Sequence, residues 1–315
     1  MQSCRLFIGL LLWMFTGHAV GAQLSFSASQ SAEALSYDYR WSRQGQPPAS
    51  LSFSLDRQAM VEAPAIQKTY SLALVQRYVY VELMKAAKEI DPKQARVKIN
   101  RLHRGIEIRV SSTSEATNKR ISEELSVLRE QAYDSYLQEN YYTRYTTVFN
   151  EEAVKPDHIR FINEYIEPLI PLSQAIYDSV SQQADAREYF NFLLSWVQSI
   201  PYDRLSNRAD NNGGGFLPPA GLLAQNKGDC DSKSVLTAAI ARGFLPDTPM
   251  ILVLLPRHAL LGVALAPQAG DQTLTYDGKS YVLFEPTGPA KLPMGEVAPD
   301  SQQALANRHF TIEQI

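Results

Sequence analysis

The chain carries two cysteines, Cys4 and Cys230, and only the second is expected in the folded protein. Cys4 precedes an apolar run from Leu6 to Phe15, which follows Arg5 and leads to the small residues Val20-Gly21-Ala22, the pattern of a secretory leader. Cleavage after Ala22 removes Cys4 and leaves a single thiol, so an intramolecular disulfide is impossible even in an oxidising compartment. Such a chain has to be held together by its apolar core and its hydrogen bonds alone. With 315 residues, 45% of them hydrophobic, it can build that core, and its length favours two packed units. The leader's apolar run is too short to span a bilayer comfortably, and no later segment approaches the ~20 apolar residues of a membrane helix. The expectation is a periplasmic or secreted protein with no stable membrane insertion after cleavage. The formal charge of -3, or -4 without Arg5, advertises no basic surface, so nucleic acid is not expected as a partner.

Periodicity divides the mature chain into two regions. Residues 23 to about 60 alternate polar and apolar positions, as in Ser36-Tyr37-Asp38-Tyr39-Arg40-Trp41 and Leu51-Ser52-Phe53-Ser54-Leu55, and predict strands. Leu72, Val75, Val79, Leu83, Ala86 and Ile90 predict a helix stopped by Asp91-Pro92. Val97/Ile99 and Ile106/Ile108/Val110 predict a hairpin joined through His103-Arg104-Gly105, and Ile121, Leu125, Leu128, Ala132 and Tyr136 a second helix. These make a small α+β module over 23–150, after a signal peptide at 1–22 and before a domain at 151–315. In the latter, Ile159 to Leu169 and Tyr189 to Ile200 read as helices bounded by Pro168, Pro171 and Pro201. Tyr141, Tyr142 and Tyr145 read as packing residues. Asp210 to Gly215 reads as a surface loop, a flap beside the site.

The chemistry concentrates around Gly228-Asp229-Cys230-Asp231-Ser232-Lys233, which runs into the helical pattern Val235, Leu236, Ala239, Ile240 and ends near Gly243. Asp229 suits the N-cap and Gly243 the C-terminal cap. Free amides at a helix start favour a thiolate at Cys230, whereas the two flanking carboxylates oppose it, so a histidine partner is needed. His258 opens a strand pattern on which His258, Leu260 and Gly262 share one face and Ala259, Leu261 and Val263 the other. Asp277-Gly278 is a two-residue hairpin signal delivering a strand on which Tyr281, Leu283 and Glu285 share a face, placing Glu285 to orient the histidine. The bland alternatives are a buried inert thiol, a core histidine and a surface acid, with Asp277 or Asp300 replacing Glu285. No cofactor is implied. A lone cysteine lacks paired ligand spacing, and Asp229/Asp231 read as a capped helix start, so no metal is expected.

These segments resemble the transglutaminase-like superfamily, which overlaps in fold with papain-like cysteine peptidases. The resemblance covers residues 185–300 through Ile200-Pro201-Tyr202-Asp203, Pro218-Pro219, Gly-Asp-Cys-Asp-Ser-Lys, His258 at a strand start and Phe-Glu-Pro-Thr-Gly at 284–288. It implies an α+β fold with a papain/transglutaminase-like core, a nucleophile helix packed on an antiparallel sheet. It implies Cys230, His258 and then an acid in chain order; the family's acid is usually Asp, and here it is Glu285. Gln225, Tyr202 and Asp229 are the candidates for substrate or oxyanion support. The implied activity is attack on peptide or protein amide bonds through a thioester, with hydrolysis of a cell-envelope peptide or protein substrate as first reading. Transfer to an amine acceptor and a noncatalytic envelope scaffold are the alternatives.

Overall fold

The structure is a computed structural model that describes residues 22–103, 105–206, 215–256, 258–288 and 291–315. The expected leader, except Ala22, and the expected flap, except Gly215, lie outside the described residues. The fold is mixed α+β with antiparallel sheets.

The first three strands, β1 (Gln23–Gln30), β2 (Ala34–Arg43) and β3 (Gln46–Asp56), form an antiparallel meander. Period-two alternation buries Tyr37, Tyr39, Trp41, Leu51, Phe53 and Leu55 on one face. After α1 (Leu72–Glu89), the hairpin β4 (Arg96–Leu102) and β5 (Gly105–Ser111) and α2 (Glu115–Glu139) close a small unit. Its own core contains Val75, Val79, Leu83, Ile99, Ile121 and Leu125. A second hairpin follows, β6 (Tyr142–Thr146) with β7 (Glu152–Pro156).

The packing does not follow the expected division at residue 150. The inner face of β1–β3 shares one core with residues 161–294, whereas the α1–α2 unit has a core of its own. The meander alone has a single apolar face and one layer, and it covers that face with the later helices because two layers are needed to enclose a core.

Helices α3 (His158–Tyr165), α4 (Ile170–Asp178) and α5 (Ala186–Val197) supply that cover. Asp157 and Asp185 cap α3 and α5 through Arg160 N and Glu188 N at 3.1 and 2.9 Å. Pro171 marks a helix boundary by sitting in the first turn of α4, where a missing N–H costs nothing. Pro219 does the same at the start of α6 (Pro219–Gln225). Helix α7 (Cys230–Phe244) packs on a five-stranded antiparallel sheet of order β10-β11-β9-β8-β12. Its strands are β8 (Met250–Leu255), β9 (His258–Val263), β10 (Thr273–Tyr276), β11 (Lys279–Phe284) and β12 (Thr311–Gln314), with α8 (Pro299–Ala306) before the last. Asp277 and Gly278 both have positive φ, +47° and +72°, as the two-residue turn between β10 and β11 requires. Gly243 is inside α7 rather than beyond it: a Cβ there would meet Ser173 at 3.2 Å, so close approach to α4 accounts for this glycine.

Trp41 is the clearest rivet between the meander and the helices. It is fully buried, meets the Phe192 ring edge-on at 5.5 Å and donates its indole N–H to Ser195 Oγ at 3.0 Å. Trp41→Ala is expected to cost about 3–5 kcal/mol of unfolding free energy by chemical denaturation. A loss below about 1 kcal/mol would mean that the meander does not share the folding unit of α5.

Candidate active site

The loop before α7 is built from close backbone approach. A Cβ on Gly228 would lie 2.8 Å from Leu222 Cδ1, so no larger residue fits without displacement. Gly228 N donates to Pro201 O at 3.2 Å, and Asp203 N donates to Gly228 O at 3.1 Å, which forms the short parallel bridge of Tyr202 with Gly228. Asp229 is the N-cap, its Oδ1 accepting from Ser232 N at 2.9 Å and Ser232 Oγ at 2.6 Å. One turn in, the fully buried Lys233 donates from Nζ to Ile200 O at 2.5 Å. Cys230 therefore starts a helix whose entry is fixed from both sides.

His258 opens β9 and is joined by Glu285, just beyond β11. The register pairs Leu283 with Gly262 and Phe284 with Leu261. Glu285 consequently falls diagonally from His258 on the same sheet face. His258 Nε2 lies 3.2 Å from Glu285 Oε2. Glu285 Oε1 accepts from Ala298 N at 2.8 Å, and the Ser301 hydroxyl also bonds the carboxylate. Burial raises the Glu285 pKa, but the bonds from His258, Ser301 and Ala298 outweigh it and hold the carboxyl below its ordinary value. The backbone is fixed too: Gln198, at the end of α5, donates from Nε2 to Glu285 O and Leu292 O, each at 2.8 Å. Asp277 occupies the β10–β11 turn and Asp300 the first turn of α8; it is Glu285 that pairs with the histidine.

Cys230 and His258 line one cavity of about 500 Å³, together with Tyr202, Asp229, Asp231 and Tyr145. Gln225 ends α6 and is not among the lining residues. Tyr145, expected as packing, faces this space from the β6–β7 hairpin, while Tyr142 is buried. Burial, and then the opposition expected of the flanking carboxylates, outweigh the helix start at the thiol. Burial pushes the Cys230 thiol up, Asp231 and Asp229 push it further, and its S–H donates to Asp231 Oδ1 at 3.5 Å. Among the described residues no hydrogen bond joins Cys230 to His258. Lys155 and His158 are among the cavity residues that had drawn no role from the sequence. Lys155 pairs with Glu313 at 2.9 Å, and His158 lies beneath Asp231. The signal for His158 was local: Asp157, a capping residue, begins a helix with it.

Comparison with family models, curated proteins and solved structures gives no match to this chain. Among the described residues, no group of three or more His, Cys, Asp or Glu side chains is arranged to hold a metal ion, and no helix is long and apolar enough to cross a membrane.

The burial of Lys233 sets a pH signature for this site. Burial pulls its ammonium from an ordinary 10.5 down to about 8, with Asp229 opposing. Below 8 both folded and unfolded chains hold the proton and the full cost of the buried charge remains. Between 8 and 10.5 the unfolded chain holds more protons than the folded one, so this contribution to stability rises with pH. The unfolding free energy of the wild type minus that of Lys233→Met is expected to climb across that window. A flat difference would show that Lys233 keeps an ordinary pKa in the folded chain.

Proposed function

We propose that this chain is an exported, transglutaminase-like cysteine enzyme that hydrolyses amide bonds of a peptide or protein substrate in the cell envelope. One observation carries the reading: a cysteine opening a helix and a histidine held by a buried glutamate open onto the same cavity. The packing of helix α7 on an antiparallel sheet supports the reading of a papain/transglutaminase-like core.

The chemistry follows from the two ends of His258. Its Nε2–H is directed to Glu285, which leaves Nδ1 to take the Cys230 proton when substrate is bound. The sulfur then attacks the amide carbon, the carbonyl π pair becomes an oxyanion, and amides at the start of α7 are available to stabilise it. Collapse breaks the C–N bond, the His258 proton goes to the departing amine, and a thioester remains. Water, deprotonated by His258, adds to the thioester and expels the thiolate, which regains its proton. Glu285 stabilises the imidazolium formed in both halves. An amine in place of water gives transfer, and the Asp231-bonded thiol favours the noncatalytic scaffold if that bond is never released.

Fluorescein-labelled casein, with dansylcadaverine as a competing amine, tests the three outcomes. Casein cleavage lost in Cys230→Ala and His258→Ala supports hydrolysis; dansyl incorporation with the same dependence assigns transfer instead. Glu285→Gln is expected to fold and to lower kcat about a hundredfold or more, with Glu285→Asp recovering part of it. Neither cleavage nor incorporation, together with envelope-fraction binding that survives Cys230→Ala, would replace the enzyme with the scaffold.

A further inference from the structure

Beneath the cavity, three side chains stand in a row: Cys230, Asp231 and His158. One Asp231 oxygen, Oδ1, accepts the thiol S–H at 3.5 Å, while the other, Oδ2, lies 3.9 Å from His158 Nε2. His158 is 1% exposed, and neither of its ring nitrogens has a hydrogen-bond partner among the described residues. Leaving a buried polar group unpaired is costly, so the ring N–H favours any acceptor that comes within reach. The ring is packed in place against Phe216, with centroids 5.0 Å apart. The His158 ring is enclosed, whereas the Asp231 side chain is 34% exposed on the cavity wall. A turn of its carboxylate by about 1 Å reaches ordinary N–H···O distance from His158 and lengthens the bond to sulfur.

We infer that Asp231 is a positioning residue that switches the nucleophile, holding the Cys230 thiol protonated through its S–H···O bond and releasing it when the carboxylate turns to the His158 ring N–H. This rests on the reading of Cys230 as nucleophile. Burial keeps the His158 ring neutral, so it meets a carboxylate as an N–H donor and not as a cation. Burial also raises the Asp231 pKa, against the attraction of Lys155 from β7 and of His258 from β9. Asp229 adds like charge, Glu313 partly neutralises Lys155, and Tyr145, Tyr202 and Arg204 also face the cavity. A substrate filling the cavity removes water from Asp231, and the His158 N–H is then the donor left to it.

Iodoacetamide alkylation of Cys230 in the full chain, followed by intact mass from pH 5 to 10, reads the switch without turnover. Asp231→Asn is expected to raise the rate at pH 7 about tenfold and to move the midpoint down by about one unit. His158→Phe, which keeps the ring packing but removes the donor, is expected to slow alkylation and raise the midpoint, and His158→Gln to restore it towards wild type. An unchanged midpoint in Asp231→Asn overturns the switch, as does identical behaviour of His158→Phe and His158→Gln. If His158→Phe does not fold, Asp231→Asn decides alone. Shifted midpoints without casein cleavage would keep the switch and remove the hydrolase reading; cleavage with unshifted midpoints would do the reverse.

Discussion

Helix α5 is the post on which every other layer leans. Tyr189, Phe190, Phe192, Leu193, Leu194, Trp196 and Val197 are buried, while Arg187, Glu188, Asn191 and Ser195 gather in one polar stripe, so a broad apolar face is free to meet several layers at once. Phe192 and Trp196 face the meander, with Trp196 edge-on to Tyr39 at 5.2 Å. Phe190 lies 5.2 Å from Phe284 of β11, and Tyr189 stacks on Phe244 at the end of α7 with 3.9 Å between centroids. One helix thus ties the N-terminal sheet, the cysteine-bearing helix and the C-terminal sheet into a single core without a covalent link. Its final turn also reaches the reactive groups, because Gln198 holds the Glu285 backbone. The same approach explains Gly288, where a Cβ would lie 2.4 Å from Gln198 O.

Electrostatics pull against this order at the start of α7. Asp229 satisfies the free amides of the helix, which stabilises the fold, yet the same carboxylate raises the pKa of the thiol beside it. Burial raises the pKa of all three carboxylates around the site, with opposite net results. Glu285 escapes its penalty through three hydrogen-bond donors, whereas the acids flanking Cys230 are pushed upward. A glutamate at 285 reaches His258 from just beyond its strand, so the longer arm suits a residue that lies diagonal to its partner.

Local patterns were legible wherever one face of an element is apolar. The alternation of Tyr37, Tyr39 and Trp41, the helix from Leu72, the Asp277-Gly278 turn and the strand faces around His258 and Glu285 were all readable from spacing. Cavity membership was less so. Tyr145 and Lys155 sit on a five-residue-per-arm hairpin whose exposure pattern gives no clean alternation, and His158 drew no role because its importance comes from Asp231, 73 positions later. The thiol's raised pKa also escaped, since helix polarity can be read locally while burial cannot. The shared core of residues 23–56 with the second half is a fact of tertiary packing, invisible to a boundary drawn from composition.

The β6–β7 hairpin stands outside the five-stranded sheet and forms a two-stranded sheet of its own. It contributes Tyr145, Thr147, Val148 and Phe149 to the cavity wall, whereas Cys230, His258 and Glu285 are held by α7 and the ends of β9 and β11. Those three side chains and the hairpin wall of the cavity are therefore mounted on different frames. The cavity is modular in consequence: the hairpin tip can be rewritten in length or chemistry while the geometry of Cys230, His258 and Glu285 stays where the core put it.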